Sequence, residues 1–591
     1  MSLSEVRRSN NLVQISSKES LIRQQLEKER SRLEQEAGIV RREIQHFQRP
    51  VERLFTKSRR DTTTILFSGF TWKHDKLIQG ALESLGYKCE AVPVPDKKAF
   101  QLGKEYGNNG QCNPPYFTVG NLVQFVQSLE EKGLTKQEII DRDVFLTAGA
   151  CGPCRFGMYE AEYRLALRNA GFEGFRVLLF QEEGGLNQAE AEAGLEMNLD
   201  FFLNILNALN IGDVVNDVGN RIRPFEINAG ETDRVLDESM DMLQDVMRRK
   251  RPWTLEANLA ALLSKTNLVG TAEYLGKFLN QLYGDDYTAT LNEVRDRFNA
   301  IPLDRTRVKP IVKVTGEFWA QTTEGDGNFN MFAFLEREGA QVWVEPIGCW
   351  VTYLLSQALA GAQARKGLDS PYPGARWWEW KKQLANDWKF RKKWLLFGLS
   401  EWIWNRQHAR TARHLGGLAR RLAPQSELAR MAHPFYHSLA RGGEGHLEVG
   451  KNVYYTTHRL CHMVLALKPF GCMPSSQSDG VQSAVVNRFR DMIFIPIETS
   501  GEGEINAHSR VQMALGEAKS KAKAEFEQAL ASTGKKLDEI QAYAAEHRQL
   551  RSPFYPVPQR QGVTGVAANF VLHVSNLIDG KARLAKLPGE I

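Results

Sequence analysis

Two cysteines of a Cys-Gly-Pro-Cys run, Cys151 and Cys154, have the residue types and spacing to do chemistry. They follow the apolar stretch 144–147 and precede the amphipathic stretch 158–169, so thiols are predicted on a strand-to-helix turn. A further thiol, Cys472, follows the apolar stretch 463–467 and precedes a helix-like segment that begins near residue 479. The sequence therefore predicts two similar modules, each aiming a cysteine at a shared ligand.

Cys112 joins these candidates. Its surroundings, residues 107–115, have the composition of a loop and precede a predicted helix around 120–129. In open α/β sheets, ligands collect beyond the carboxyl ends of the strands, where these thiols are expected. Helix N-termini and free backbone N–H groups stabilise thiolates and the sulfides of a bound cluster.

The spacing of these thiols leaves three kinds of site open. Four thiols from three loops can hold an iron-sulfur cluster, although they are more dispersed than in the compact ferredoxin pattern. Structural zinc usually needs two tight cysteine pairs, and the chain has one. Cys-Gly-Pro-Cys is also the thioredoxin active-site tetrapeptide. Against that, no tryptophan precedes Cys151, and no proline between Cys154 and Pro224 could supply the cis-proline loop.

The elements that would position these thiols alternate between strands and helices, which predicts parallel sheets with right-handed crossovers. The strand candidates form two series, 64–70, 89–94, 144–147 and 175–181, then 311–315, 341–346, 463–467 and 492–496. The first-to-second and third-to-fourth spacings agree between the two series to within a few residues. We therefore predict an α/β fold with two doubly wound, flavodoxin-like parallel-sheet domains related as a pseudo-repeat.

A chain of 591 residues exceeds what one hydrophobic core usually organises, so several domains are expected. The predicted order is an N-terminal helical segment (1–57), a first α/β domain with the Cys112 and Cys154 loops (58–185), a helical connector (186–307), a second α/β domain with the Cys472 loop (308–540) and a C-terminal segment (541–591). The segment 18–45 is predicted to be a surface helix or a short coiled coil, because Leu26, Leu33 and Val40 recur every seven residues.

A helical insertion at about 360–450 interrupts the second α/β domain and holds seven of the twelve tryptophans, interleaved with Lys and Arg. We expect these tryptophans to pack the insertion's helices onto a core while the cations face solvent. Docking to a membrane surface and recognition of an anionic nucleotide tail are the alternatives.

Composition is that of an ordinary globular protein, with 42% hydrophobic and 25% charged residues. A net charge of +6 is small for this length, so a dedicated nucleic-acid binder is not expected. The chain has no apolar run of about 18 residues and its N-terminus is polar, so we expect a cytoplasmic protein without a transmembrane segment. Seven cysteines without framework spacing predict reduced thiols.

Several segments together resemble the 2-hydroxyacyl-CoA dehydratase family, including its activase-related large proteins and the double-cubane cluster proteins. The matching segments are Gln-Cys-Asn-Pro (111–114) with Gly-Asn (120–121), Gly-Pro-Cys-Arg-Phe-Gly (152–157), Val-Thr-Gly-Glu (314–317), Gly-Asp-Gly-Asn (325–328), Lys-Pro-Phe-Gly-Cys-Met-Pro-Ser-Ser (468–476) and Glu-Thr-Ser-Gly (498–501). They span most of residues 107–505.

The resemblance implies a low-potential iron-sulfur cluster held between α/β domains, either 4Fe-4S or double-cubane 8Fe-9S. Cys112, Cys154 and Cys472 resemble its ligands, and Cys151 is an extra thiol of open role. The resemblance further implies an enzyme, a dehydratase-like lyase or reductase component that acts on an acyl-CoA or other acyl thioester. In that chemistry an electron enters the thioester carbonyl, and the resulting ketyl expels a β-leaving group or is reduced further.

The electrons would come from a separate ATP-hydrolysing iron-sulfur activator protein, since this chain has no P-loop of the G-x-x-x-x-G-K-[ST] type. A homodimer or a complex with a homologous subunit also fits the family. Arg155, Glu317 and Asp326 are candidate catalytic residues. Each has a structural alternative: Arg155 could neutralise the cluster, Glu317 could cap a helix, and Asp326 could shape a Gly-rich turn.

Two other functions remain open from the sequence. One is a non-catalytic electron carrier or cluster scaffold that couples the activator to a separate enzyme. The other is a thiol-disulfide exchanger that uses Cys151 and Cys154.

Overall fold

The computed structural model describes residues 21–33, 35–37, 54–149, 154–181, 185–186, 193–256, 269–366, 368, 371–440 and 443–587. The chain divides into two compact units, Met1–Val51 and Glu52–Ile591. In the first unit, residues 21–33 form a helix with exposed side chains, within the predicted helical segment 18–45. Both sheets belong to the second unit.

The first sheet contains four parallel strands, β1 (Thr64–Phe67), β2 (Lys88–Ala91), β3 (Asp143–Gly149) and β4 (Arg176–Gln181), in the order β2-β1-β3-β4. A two-residue strand, β5 (Gly185–Leu186), pairs antiparallel with β4. Ile65 and Leu66 of β1 and Val144 and Phe145 of β3 are buried. This continuous apolar pattern is typical of a parallel sheet covered on both faces.

The second sheet repeats this arrangement with β6 (Ile311–Gly316), β7 (Gln341–Trp343), β8 (Met463–Pro469) and β9 (Phe494–Thr499). All four strands are parallel, in the order β7-β6-β8-β9. Every residue of β6 and β8 is buried. The predicted α/β class with two parallel sheets is therefore confirmed, and both sheets follow one strand order.

Helices account for most of the remaining described residues. Those of the first half of the chain are α1 (Trp72–Glu83), α2 (Lys97–Tyr106), α3 (Asn113–Glu131), α4 (Lys136–Arg142), α5 (Tyr159–Asn169), α6 (Leu199–Ile222), α7 (Glu231–Arg249), α8 (Val269–Tyr283) and α9 (Thr288–Asn299). Those of the second half are α10 (Phe318–Thr322), α11 (Met331–Arg337), α12 (Gly348–Ala364), α13 (Trp380–His414), α14 (Gln425–Ala432), α15 (Leu447–Thr457), α16 (Met473–Arg488), α17 (Glu504–Thr533), α18 (Leu537–Glu546) and α19 (Val566–Ile578). None of the described helices is long and apolar enough to cross a membrane.

Two helices begin earlier than the sequence pattern predicts. Helix α3 starts at Asn113 rather than near residue 120, and α16 starts at Met473 rather than near 479. The composition of both segments indicated loops because of their prolines. Proline is well tolerated in the first turn of a helix, where its missing N–H has no intrahelical partner. These prolines, Pro114, Pro115 and Pro474, therefore lie in first helical turns instead of ending helices.

The tryptophans of the insertion do not form the predicted core. Six of them, Trp377, Trp378, Trp380, Trp388, Trp394 and Trp402, expose between 54% and 81% of their surface. Trp404 alone among the seven is buried, and its indole Nε1 donates to the carbonyl of Gly348 at 3.1 Å. The expectation failed because seven tryptophans on one segment exceed what a single line of contact along a helix can cover.

Candidate functional site

The loops that follow β3 in the first sheet and β8 in the second contain two of the candidate thiols. In each sheet the strand order reverses between the first and third strands, β1 and β3 or β6 and β8. Ligand-binding crevices of open α/β sheets lie at the carboxyl ends of strands flanking such a switch point. Cys154 lies beyond the end of β3, and Cys472 lies beyond the end of β8. The two thiols thus follow corresponding strands.

Cys112 and Cys472 occupy the same local position. Each is the N-cap residue of a helix, α3 and α16, and each of these helices carries proline in its first turn. The amide N–H groups of a first helical turn have no intrahelical acceptors and favour negative charge nearby. The fold therefore sets both thiols at helix ends suited to anionic sulfur.

The Cys112 and Cys472 loops are in direct contact. The amide nitrogen of Asn113 donates to the carbonyl oxygen of Phe470 at 3.1 Å. Gly471 has a φ of 74°, and a Cβ added there would lie 3.5 Å from the Cα of Cys112. Asn113 Nδ2 also donates to Thr499 Oγ1, at the end of β9, at 3.4 Å. Two hydrogen bonds from Asn113 thus join the first α/β module to the second.

The Cys154 loop also contacts the segment that contains Cys112. The guanidinium of Arg155 donates to the carbonyl of Gly110, two residues before Cys112. The Sγ of Cys112 lies 3.7 Å from the hydroxyl oxygen of Tyr159, in the first turn of α5. Tyr159 is buried, and burial raises its pKa well above the usual value. The Cys112 segment therefore contacts both the Cys154 and the Cys472 loops.

Burial and the carboxylate of Glu317 raise the pKa of all three thiols. Burial raises the pKa of Cys112 to about 11 and that of Cys154 to about 12, and it raises the pKa of Cys472 as well. In each case the negative charge of Glu317 adds to the increase. The thiols consequently stay protonated at neutral pH unless a bound cation stabilises their thiolates.

Glu317 directly follows β6 and is the N-cap residue of α10. Its backbone N–H donates to the carbonyl of Leu467 at 3.0 Å, and its carboxylate accepts from the amide of Ala320 at 2.9 Å. Burial raises the pKa of Glu317 to about 7. The capping role considered from the sequence is therefore present, and it holds the carboxylate at the switch point of the second sheet.

Sequence reasoning missed two further carboxylates, Glu444 and Glu448, which lie at the end of the insertion. The carboxylate of Glu444 accepts from the amide of Phe318 at 2.5 Å, and burial raises its pKa well above the usual value. The neighbouring charges of Glu317 and Glu448 raise that pKa further. The only local signal was a Gly-rich turn, in which Gly443 and Gly445 have positive φ angles.

Glu448 belongs to a buried ion pair that supports the Cys472 loop. Its carboxylate contacts the ammonium of Lys468, in β8, at 3.1 Å, and both side chains are almost fully buried. It also accepts from the hydroxyl of Ser475 at 2.8 Å, in the first turn of α16. Breaking a buried ion pair leaves an unpaired charge, so this network stabilises the positions of β8 and α16 on either side of Cys472.

Asp326, the third candidate catalytic residue, contacts none of the described residues of the three thiol loops. Its Oδ2 accepts from the amide of Lys97, the first residue of α2, at 2.9 Å, and its Oδ1 accepts from Asn330 Nδ2 at 3.0 Å. It also begins a short 3₁₀ turn after Gly325, whose φ is 90°. These contacts match the turn-shaping alternative, and none of them reaches a thiol loop.

The remaining cysteines divide clearly. Cys89 and Cys461 pack within hydrophobic clusters. Cys349 is buried among Tyr353, Ala423 and other apolar side chains. Cys151 lies outside the described residues, so the predicted fourth thiol has no structural account.

Within the described part of the chain, no three His, Cys, Asp or Glu side chains are grouped so as to hold a single metal ion. Mononuclear zinc gathers all its ligands on one ion. An iron-sulfur cluster instead takes each thiolate on a separate iron, so its ligands stand further apart. Cys112 and Cys472, which are buried at helix N-termini, and the half-buried Cys154 supply the type of ligand that such a cluster takes.

A scan of the sequence against protein-family models and a search of curated proteins found no match.

Proposed function

We propose that this chain is an iron-sulfur protein that acts as a reductive dehydratase or reductase component on an acyl-CoA-type thioester. Cys112, Cys154 and Cys472 would hold the cluster, of 4Fe-4S or double-cubane type, with Cys151 as an additional thiol. The observation that carries this proposal is the hydrogen bond from Asn113 to Phe470. It supports the proposal because it brings two distant cysteine loops together at the carboxyl ends of two parallel sheets.

The bound cluster would supply low-potential single electrons and an iron site able to polarise a carbonyl oxygen. This chain's own residues would do the rest. Arg155 places positive charge beside Cys112, where it lowers that thiol's pKa and so favours the thiolate. Glu444, kept protonated by burial, can donate a proton to a leaving group at the crevice. Tyr159 would orient Cys112, Glu317 would place a negative charge near the thiols, and Asp326 would position the loop that joins α10 to α11.

Burial also bears on the thiol-disulfide alternative. Exchange requires an exposed thiol with a lowered pKa, whereas burial raises the pKa of Cys154 to about 12. This favours ligation over exchange for Cys154.

The wider context follows the family resemblance. The strand order shared by both sheets matches the first four strands of the flavodoxin-like order, so we propose that fold for each domain. We also propose a cytoplasmic protein that takes electrons from a separate ATP-hydrolysing activator and works as a homodimer or beside a homologous subunit.

Electron paramagnetic resonance of the reduced, anaerobically reconstituted protein tests the proposal. We expect an iron-sulfur spectrum that changes when an acyl-CoA is added, because the thioester carbonyl would bind at the iron site described above. A spectrum that no added acyl-CoA changes would support the electron-carrier alternative and contradict the enzymatic one. The Cys89→Ser variant, altered in a packed core thiol, should give the wild-type spectrum.

A further inference from the structure

A cavity of about 630 Å³ lies at the amino ends of the strands of the second sheet, whereas the thiols lie at the carboxyl ends. Ile311, which begins β6, and Leu460, three residues before β8, border it. Cys472 follows the other end of β8. At about 3.3 Å per residue, the seven residues of β8 separate the two regions by roughly 20 Å. The cavity is therefore distinct from the candidate cluster site, and its volume suits a small-molecule ligand.

The walls of this cavity are strongly cationic. Four guanidinium groups line it, from the end of α6, from the segment before β6 and from the turn after α13, and no Asp or Glu is among the described lining residues. The four are Arg221, Arg305, Arg420 and Arg421. Guanidinium groups that converge from separate segments are suited to bidentate binding of phosphate oxygens.

Arg420 is the only one of the four that forms an ion pair with a described residue. Arg420 pairs with Asp217 at 2.5 Å, whereas Arg305 donates only to backbone carbonyls, those of Leu550, Ser552 and Pro553. Arg221 donates to the carbonyl of Leu418. Burying like charges without counter-charges is costly, and a bound polyanion would offset that cost.

Burial accordingly lowers the pKa of Arg221 to about 9, with the charge of Arg420 adding to the decrease, and it lowers the pKa of Arg305 to about 10.

Aromatic rings complete the lining. Trp343, Tyr454, Tyr455, Phe554 and Tyr555 all border the cavity, and the Arg420 guanidinium stacks over the Trp343 ring at 4.1 Å. Aromatic and guanidinium planes together stack on nucleobases, while neighbouring cations bind their phosphates. The cavity thus combines groups for both parts of a nucleotide.

We propose that this cavity binds a small phosphorylated ligand with an aromatic base, of the nucleoside diphosphate type. Such a moiety occurs in free nucleotides and in coenzyme A, and the cavity's chemistry serves either. The site is independent of the cluster, so it can be tested on the full chain without iron.

Titration calorimetry with ADP, adenosine, inorganic pyrophosphate and coenzyme A tests the proposal. We expect saturable binding of ADP that weakens with added salt, and weaker binding of adenosine or pyrophosphate alone. Binding of coenzyme A more tightly than ADP would identify the thioester carrier as the source of the nucleotide. No saturable binding of either ADP or coenzyme A would overturn the proposal.

Two variants and a matched control locate the site. Arg421→Gln removes an exposed guanidinium that forms no ion pair with any described residue, and Arg221→Gln removes a half-buried one. Each should weaken ADP binding about fivefold or more. Arg413→Gln changes an exposed arginine of α13 that does not line the cavity, so it should leave affinity unchanged. Equal affinity in all three variants would contradict the assignment, provided circular dichroism shows that each is folded.

A different observation supports a second proposal. No described side chain from residue 371 to 403 is buried, so most of α13 is left uncovered by the described residues. An exposed apolar stripe runs along it at helical spacing, formed by Trp380, Leu384, Trp388, Leu395, Leu399 and Trp402. Residues 376–393 also contain seven Lys or Arg and only two acidic residues. That charge nearly equals the net +6 of the whole chain.

We propose that this helix docks on an anionic membrane surface, with its tryptophans at the headgroup level. Exposed tryptophans beside lysines and arginines are suited to that boundary, and the cations complement acidic lipids. A second copy of the chain is a poorer occupant, because two such helices would bring like charges together.

Vesicle flotation tests the docking. The protein should float with vesicles that contain phosphatidylserine and much less with pure phosphatidylcholine. The double variant Trp388→Ser/Leu395→Ser should lose most of that binding, whereas Ile505→Ser, at an exposed apolar residue of α17, should keep it. A dimer in light scattering that the double variant dissociates, without any flotation of the wild type, would overturn the proposal in favour of self-association.

Discussion

The amide nitrogen of Asn113 donates a 3.1 Å hydrogen bond to the carbonyl oxygen of Phe470, which joins the loops of Cys112 and Cys472. Each partner belongs to a different parallel sheet system, and each adjoins the N-cap of a helix. The contact makes the candidate site a property of both α/β modules together. Changes to the backbone at this contact should therefore affect ligand content as well as stability.

Gly471 offers a test of that contact. Its φ of 74° lies in the left-handed region, so Gly471→Ala should cost about 1 kcal/mol of the free energy of unfolding. The added Cβ would meet Cys112 only at ordinary contact distance, so the cost comes from the backbone. We also expect reduced iron after reconstitution, because relief of the strain moves Cys472.

The matched control is Gly480→Ala, on the exposed face of α16 with open space around it. Alanine should stabilise this helical position by up to about 1 kcal/mol and leave iron content unchanged. Chemical denaturation and iron analysis measure both effects. Similar results for the two variants would contradict a special role for the Gly471 turn.

Tyr159→Phe should alter the cluster without removing it. The Tyr159 hydroxyl lies 3.7 Å from the Sγ of Cys112, and a hydrogen bond to a ligating sulfur raises a cluster's reduction potential. Loss of the hydroxyl should therefore lower the potential while iron content stays at the wild-type level. Redox titration of the reconstituted protein measures this shift. Tyr163→Phe, one turn further along α5, serves as the control and should leave the potential unchanged.

Asp75, on α1, should make stability depend on pH. Burial raises its pKa to about 8, above the value of about 3.9 for an unfolded chain. The folded state therefore binds the extra proton between these values. Its contribution to stability is fully present below about pH 4 and is lost as pH rises through about 8.

The variant Asp75→Asn lacks this titration. Its free energy of unfolding should exceed that of the wild type by more than about 1 kcal/mol at pH 8, and the difference should shrink toward pH 4. Denaturation across this range measures it. Asp237→Asn, at an exposed position of α7, should change the pH profile little. A wild-type profile that is flat or rises between pH 4 and 8, and that matches the Asp75→Asn profile, would contradict the assignment.

The sequence predicted the strands well because buried parallel strands are short apolar runs that local pattern alone reveals. All eight predicted strands are present, and the Cys154 and Cys472 loops follow β3 and β8. Helix starts were harder. The prolines after Cys112 and Cys472 indicate a loop and a first helical turn equally well, and only the following backbone decides between them.

Other features depended on contacts between distant segments. Glu444 lies in the insertion and reaches the site only because its carboxylate accepts from the amide of Phe318. The exposure of Trp388 and its neighbours depends on which surfaces the rest of the chain covers. Hydrophobic pattern identifies a helix as amphipathic, but it does not specify the partner of its apolar face.

Iron and sulfide analysis after anaerobic reconstitution tests the central claim most directly. The wild type should bind a cluster, and Cys112→Ser, Cys154→Ser and Cys472→Ser should each lose most of it, while Cys461→Ser, in a packed core, should retain it. Wild-type protein that takes up neither iron nor sulfide, or three site variants that bind as much iron as Cys461→Ser, would contradict the proposal that these thiols hold one cluster.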